Sequence, residues 1–277
     1  MSDELFEKVM SEVLKKMNVG SADTAARSAE PASRPTSGTG NPAVSSQGDS
    51  FTEFVGIATG DTIGLVIPSV DDIILDKVEL KQYRAIGIIG ARTGAGPQLM
   101  AADEAVKATK SEVILFELPR DTKGQGGHGC LILFGADDVS DVRRAVEISL
   151  RSLNDWCFGD IYANDAGFCE LQYTARASHA LNQYMNAPLG KAFGLIVGCP
   201  AGVGFLMADT AVKAAKVEVV LYGSPAKVTS FSNEFMIMIS GDAGAVKQAV
   251  IAGREIGIKA LTKMDKRPES LGNPYIG

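Results

Sequence analysis

Residues 102–113 read ADEAVKATKSEV, and residues 208–219 read ADTAVKAAKVEV. Nine of the twelve positions are identical at a constant offset of 106 residues. A match this dense within one chain points to duplication, so the fold is read as two copies of one unit. The match extends both ways. Upstream, AIGIIG at 85–90 corresponds to AFGLIVG at 192–198, each an apolar strand leading into a Gly-rich turn. Downstream, CLILFGADDVSDVRRAV at 130–146 corresponds to EFMIMISGDAGAVKQAV at 234–250. Each of these is a strand, a turn and a helix, with Asp138 or Asp242 placed to cap the exposed amides at the helix start.

Each copy therefore reads strand, helix, strand, loop, strand, helix. A further strand-like piece precedes each, TIGLVIPSV at 62–70 and CELQYTARAS at 169–178. This order predicts an α/β (α+β) sandwich in each copy: a roughly four-stranded, mostly antiparallel sheet with helices on one face. The boundary is expected near Trp156–Gly167, where Gly159, Asn164, Asp165 and Gly167 cluster, giving domains over 51–157 and 158–277.

The first 50 residues differ in kind. Over 2–18, Leu5, Val9, Val13 and Met17 recur every four residues beside a second row of Phe6, Met10 and Leu14. At 100° per residue the rows merge into one apolar stripe, so an amphipathic helix is predicted, capped by Ser2 or Asp3 and ended by Gly20. Residues 19–50 are mainly Ser, Ala, Gly, Thr and Pro. They bury too little to offset the entropy of ordering and read as a disordered tether.

Composition narrows the function classes. The 277 residues are 45% hydrophobic with a net charge of −6 and interspersed signs, which is unlike a nucleic-acid binder. The N-terminus lacks a continuous apolar stretch of the kind a signal peptide has. The longest uncharged run, Ala192–Ala208, is shorter than the ~20 residues a membrane span needs. A soluble, cytoplasmic protein is expected. Cys130, Cys157, Cys169 and Cys199 form no CxxC pair, and His128 and His179 are the only histidines, so free thiols and no metal site are expected.

The doubled pattern A(A)D-x-AVKA-x-K-x-EV, followed by a strand, a loop, an apolar strand and G-D-x-x-x-V-K/R-x-AV, resembles the bacterial microcompartment (BMC) shell domain. The strand that is C-terminal in the family's basic form comes first here in each half, as in circularly permuted, tandem-domain shell proteins. The resemblance covers residues 51 to about 277. It implies a structural protein with no catalytic residues and no cofactor. It further implies homotrimers forming pseudo-hexameric discs that tile a shell in the cytoplasm with other BMC shell proteins.

The resemblance also marks site residues. The loops PRDTKGQGGHG (119–129) and SPAKVTSFSNE (224–234) correspond to pore loops. The expected pore lining is Lys123, Gly124, Gln125, Gly126, Gly127 and His128 from the first, with Ser224, Thr229, Ser230, Phe231, Ser232 and Asn233 from the second. Glycines allow close backbone approach, and hydroxyls suit small polar metabolites. From the residues alone, surface loops with no transport role are the competing reading. Lys107 and Lys213 correspond to lysines at the disc edge that contact the next disc; the alternative is a solvated helix lysine. The N-terminal stripe either packs on the body or docks on encapsulated cargo enzymes or shell partners, and docking is expected. A cluster held by Cys130 is disfavoured, because the second loop has no matching cysteine.

The rival class is a nucleotide-binding enzyme. GARTGAG at 90–96 and GCPAGVG at 198–204 each follow a strand and precede a helix. Leu99 and Met207 stand where the third glycine of a dinucleotide turn belongs, so tight strand-to-helix turns are the better reading.

Overall fold

A computed structural model describes residues 53–80, 82–119, 129–229 and 232–277. The predicted helix over 2–18, the tether over 19–50 and the stretch 120–128 lie outside the described residues. The first half runs β1 (Phe54–Ala58), β2 (Thr62–Ile67), α1 (Asp72–Lys77), β3 (Ile86–Ala91), α2 (Gly96–Ala108), β4 (Glu112–Glu117), β5 (Cys130–Gly135) and α3 (Val139–Ser152). A π-helical turn, Leu153–Cys157, links it to the second half. There follow β6 (Ile161–Asn164), β7 (Gly167–Thr174), α4 (His179–Met185), β8 (Ala192–Cys199), α5 (Ala201–Ala214), β9 (Glu218–Gly223), β10 (Phe235–Gly241), α6 (Ala243–Met264) and β11 (Glu269–Ser270).

The two sheets have the orders β1-β2-β3-β5-β4 and β11-β6-β7-β8-β10-β9. Every pairing is antiparallel. With β11 set aside the orders coincide, so the duplication extends to topology. Apart from β11, each sheet holds one strand more than the repeat pattern counted. The extra strands, β1 and β6, are the short first arms of hairpins, and β1 carries a register shift between Phe54 and Gly56. The predicted caps are in place: Asp138 Oδ1 accepts from Ser140 N at 2.7 Å, and Asp242 Oδ1 accepts from Gly244 N at 3.0 Å.

Within each half the helices cover one sheet face. Val142, Ala145 and Val146 of α3 pack on Val66, Ile89, Ile132 and Phe134. Met207 of α5 and Val246 and Val250 of α6 pack on Leu171, Ile196, Ile237 and Ile239. The second sheet is covered on its other face as well. Leu99, Met100 and Ala101 of α2, a first-half helix, share a core with Phe193, Leu195, Val197, Met236 and Met238. The cause lies in β8, AFGLIVGC, whose apolar residues fall on both sides of the pleat.

Asp160, fully buried, anchors the C-terminal segment. Its Oδ2 accepts from the backbone N–H of Tyr275 (2.8 Å) and Ile276 (2.9 Å), and its Oδ1 accepts from Arg254 Nη1 at 2.9 Å. Arg254 also donates to the Ile276 carbonyl. Ile276 is thereby seated in the core of the second half, beside β7 and α6.

Candidate functional site

The seam between the halves is built by α2 and α4. Each seam residue of one half has a counterpart in the other, and the counterparts differ sharply in exposure. Asp103 of α2 is buried; its Oδ1 accepts from Ser178 N (2.9 Å) and Ser178 Oγ (2.5 Å). Its Oδ2 lies 2.7 Å from Lys107 Nζ, which also reaches Thr174 Oγ1 at 3.4 Å. Ala180, Leu181 and Met185 of α4 are buried in the seam region, and Tyr184 meets Phe116 of β4 edge to face at 5.6 Å.

At an offset of 106 or 107 residues the same positions stand in solvent. Leu99 is 1% exposed and Phe205 is 63% exposed. Met100, Val113 and Leu181 are buried, whereas Leu206, Val219 and Ile74 are exposed. Ile73 of α1 and Val78, the residue that caps its C-terminus, are the counterparts of buried Ala180 and Met185 and are exposed too. A Cβ at Gly96 would meet Glu170 Oε1 at 2.0 Å, while a Cβ at Gly202 would meet nothing within 4 Å among the described residues. One chain thus holds one filled seam, and the counterparts of its helix residues are left exposed. The open sheet face differs chemically: Ile63, Leu65 and Ile67 of β2 hold the register positions that Glu170, Gln172 and Thr174 hold on β7.

A cavity of about 380 Å³ opens in the filled seam. Gly96, Phe116, Leu118, Glu170, Val228 and Glu234 are among its lining residues, so it lies at the base of both predicted pore loops. Burial and the charge of Glu234, opposed by a hydrogen bond from the Gly96 amide, push the Glu170 carboxyl up to about 8. Neither glutamate was singled out from sequence. The alternation Glu170, Gln172, Thr174 reads as a solvent-facing edge of a strand; α2 covers Glu170 at Gly96, while Gln172 is met by the Cys157 carbonyl and Tyr275.

The described pore-loop residues fall into distinct positions. Ser224 and Lys227 exchange backbone hydrogen bonds at 2.7 and 2.8 Å. Thr229 is buried, and its hydroxyl donates to the Ser224 carbonyl at 2.8 Å, so it faces the loop interior. Ser232 Oγ lies 2.9 Å from Glu234 Oε2. Asn233 Oδ1 accepts from Ala201 N at 3.1 Å and so serves as a cap for α5. Lys123, Gly124, Gln125, Gly126, Gly127, His128, Ser230 and Phe231 lie outside the described residues, as do Leu5, Phe6, Val9, Met10, Val13, Leu14 and Met17. Lys107 is drawn into the filled seam, whereas Lys213 pairs with Asp209 at 2.7 Å on an exposed helix face.

Both Gly-rich turns are occupied by the protein itself. The Glu170 carboxylate takes the Gly96 amide at the start of α2, and Asn233 takes the first amide of α5. Gln98, fully buried, knits the first turn by accepting from Ala95 N (2.8 Å) and donating to the Thr93 carbonyl (2.8 Å). A pyrophosphate would need these amides, so the nucleotide reading loses its structural basis. The four thiols are free, and burial pushes Cys169 up to about 12 and Cys199 up to about 11. Among the described residues no group of three or more His, Cys, Asp or Glu side chains could hold a metal ion, and no helix is long and apolar enough to cross a membrane.

Comparison with known proteins agrees with the doubled fold. The family model of the BMC domain matches residues 85–163 and again 192–266. The chain is 55% identical over 276 residues to the bacterial microcompartment shell protein PduB of Citrobacter freundii, covering 99% of both chains. It is 54% identical over 280 residues to PduB of Salmonella typhimurium, again covering 99% of each. Among solved structures, a trimeric microcompartment shell protein PduB is similar with a TM-score of 0.78 and 53% identity, covering 81% of this chain and all of that one. EtuB from Clostridium kluyveri is similar with a TM-score of 0.79 and 51% identity, covering 82% of this chain and all of that one. The chain belongs to the BMC-domain family, carries that domain twice in tandem, and is a structural shell protein of a bacterial microcompartment.

Proposed function

We propose that three copies of this chain close into a pseudo-hexagonal disc, that discs tile the shell with other shell proteins, and that small polar solutes cross the disc through the cavity and loops between the two halves. The observation that carries the disc is the reciprocal exposure of the seam. Phe205, Leu206 and Val219 of one copy are the unmated counterparts of residues that fill the seam, and Ile63, Leu65 and Ile67 of the next copy lie on the unmated sheet face. A contact between unlike faces leaves both free at the ends of any open chain, so only a closed ring satisfies them all. The similar PduB structure is trimeric.

The folded body divides at about residue 157 into two units, each carrying one sheet. Lys213, exposed on α5, serves the disc edge, and Lys107 stands beside the filled seam. The apolar stripe over 2–18 docks on encapsulated enzymes or shell partners. No catalytic role is assigned, since the helix N-termini that could have held a phosphate are filled by Glu170 and Asn233.

Sedimentation of the purified protein with negative-stain electron microscopy tests the disc. A trimeric mass with hexagonal particles is expected, and a stable monomer without lattice under all conditions would overturn it. Flux is tested at Ser230, because Asn233 is engaged in capping. Ser230→Phe should alter solute entry into assembled shells without unfolding the protein; unchanged permeability would remove Ser230 from the lining.

A further inference from the structure

The backbone fixes how α1 and α4 correspond. Val70 N donates to the Arg84 carbonyl at 3.0 Å, and their counterparts repeat the bond, Ala177 N to the Lys191 carbonyl at 2.8 Å. Glu79 and Asn186, at the same spacing, both take the left-handed conformation, with φ of 59° and 55°. In this register Asp71 is the counterpart of Ser178. Each caps its helix, Asp71 accepting from Ile73 N and Ser178 from Ala180 N.

In the filled seam Ser178 faces a carboxylate. Its N–H and its hydroxyl both donate to Asp103 Oδ1, at 2.9 and 2.5 Å, while Lys107 takes the other oxygen, Oδ2, at 2.7 Å. The counterpart of Asp103 is Asp209, which is half-buried and lies 2.7 Å from Lys213 through its Oδ2. Asp71 is exposed, and Asp72 follows it where His179 stands on α4. Arg84 donates to Ser69 Oγ at 3.2 Å. A hydroxyl donor of the filled seam is thus replaced, at the open faces, by a second carboxylate.

We infer that closure of the ring sets Asp71 of one copy against Asp209 of the next, a like-charged contact that restrains this junction and has no equal in the filled seam. The contact rests on the ring proposed above and specifies the charge at its junction. The capping bond to Ile73 N holds the Asp71 carboxylate at the start of α1, so it moves aside only by uncapping the helix. Lys213 addresses the oxygen of Asp209 that the capping residue does not, and so does not stand between the acids. Phe205, Leu206, Ile73 and Ile74 supply the apolar attraction. The paired acids moderate it and make the junction sensitive to salt.

Mass photometry of the full-length protein along a dilution series tests the contact. Asp71→Ser installs the residue of the filled seam, and Asp71→Asn keeps the cap without the charge. Both should tighten the trimer at low ionic strength. Relief of about fivefold at each of three junctions lowers the concentration of half-dissociation about tenfold. Salt at about 0.5 M should close most of the gap between wild type and variants. Where the trimer resists dilution, subunit exchange between two labelled pools reads the same change as a slower rate in the variants. Ser178→Asp makes the reciprocal change within the chain and should lower its thermal midpoint. Trimers unchanged or loosened in both Asp71 variants would overturn the restraint, loosening being the sign that Lys213 bridges the two acids. A wild type that is monomeric throughout would remove the ring and the contact together, and the mass of the wild type alone tells these failures apart.

Discussion

Leu99 and Phe205 occupy the same turn of the same helix in two copies of one domain, 106 residues apart, yet the first is 1% exposed and the second 63% exposed. Leu99 is packed in the core of the second sheet, whereas Phe205 touches the Phe235 ring at 5.0 Å and otherwise faces solvent, on the face proposed to meet another copy.

This pair separates folding from assembly. Leu99→Ala removes packing from the filled seam and should cost about 2–5 kcal/mol of unfolding free energy, read by denaturant titration. Phe205→Glu should leave the fold of the single chain nearly unchanged while shifting sedimentation from trimer to monomer. A trimer of unaltered mass would show that α5 does not form the ring contact.

The two helix-start glycines make a second contrast. Gly96→Ala drives a methyl group into Glu170 Oε1 and should destabilise by about 1–3 kcal/mol. Gly202→Ala meets nothing within 4 Å among the described residues. Its effect should be confined to association, measured as a shift in the trimer dissociation curve with the circular dichroism unchanged.

Asp160 is a single point of failure for the C-terminal segment. Asp160→Ala leaves Arg254 without its carboxylate and frees the Tyr275 and Ile276 amides. A loss of about 3–5 kcal/mol is expected, with early proteolysis after residue 264. Arg254→Met, which removes the charge as well, restores part of the loss in the double variant.

Stability should fall with pH through one identifiable group. Folded Glu170 holds its proton up to about 8, against an ordinary value of 4.5. Between these values the folded chain binds a proton that the unfolded chain has released, so this contribution is full below 4.5 and is lost as pH rises to about 8. The difference in thermal midpoint, wild type minus Glu170→Gln, should therefore decline steadily across that window and level off above it. A difference independent of pH would show that Glu170 ionises normally.

The fold was legible because duplication supplied its own control. ADEAVKATKSEV and ADTAVKAAKVEV placed helices α2 and α5, and Asp138 and Asp242 marked the starts of α3 and α6. The seam was less legible for a physical reason. Leu99 and Phe205 are both apolar helix residues, and pattern alone does not say which is mated inside the chain. Glu170 stayed hidden for the same reason, since its burial comes from a helix in the other half. Thr229 reads as an open hydroxyl in sequence and is buried because its own loop folds back to the Ser224 carbonyl.

The substitution of Ile63 for Glu170 at matched positions has an evolutionary consequence. A ring of six identical chains repeats every mutation six times, so an acid placed in one contact is placed in all of them. Joining two copies in one polypeptide halves that repetition. In the proposed ring, one class of junction then carries Ile63 and the alternate class carries Glu170, so ionisable chemistry at this position enters only half of the contacts.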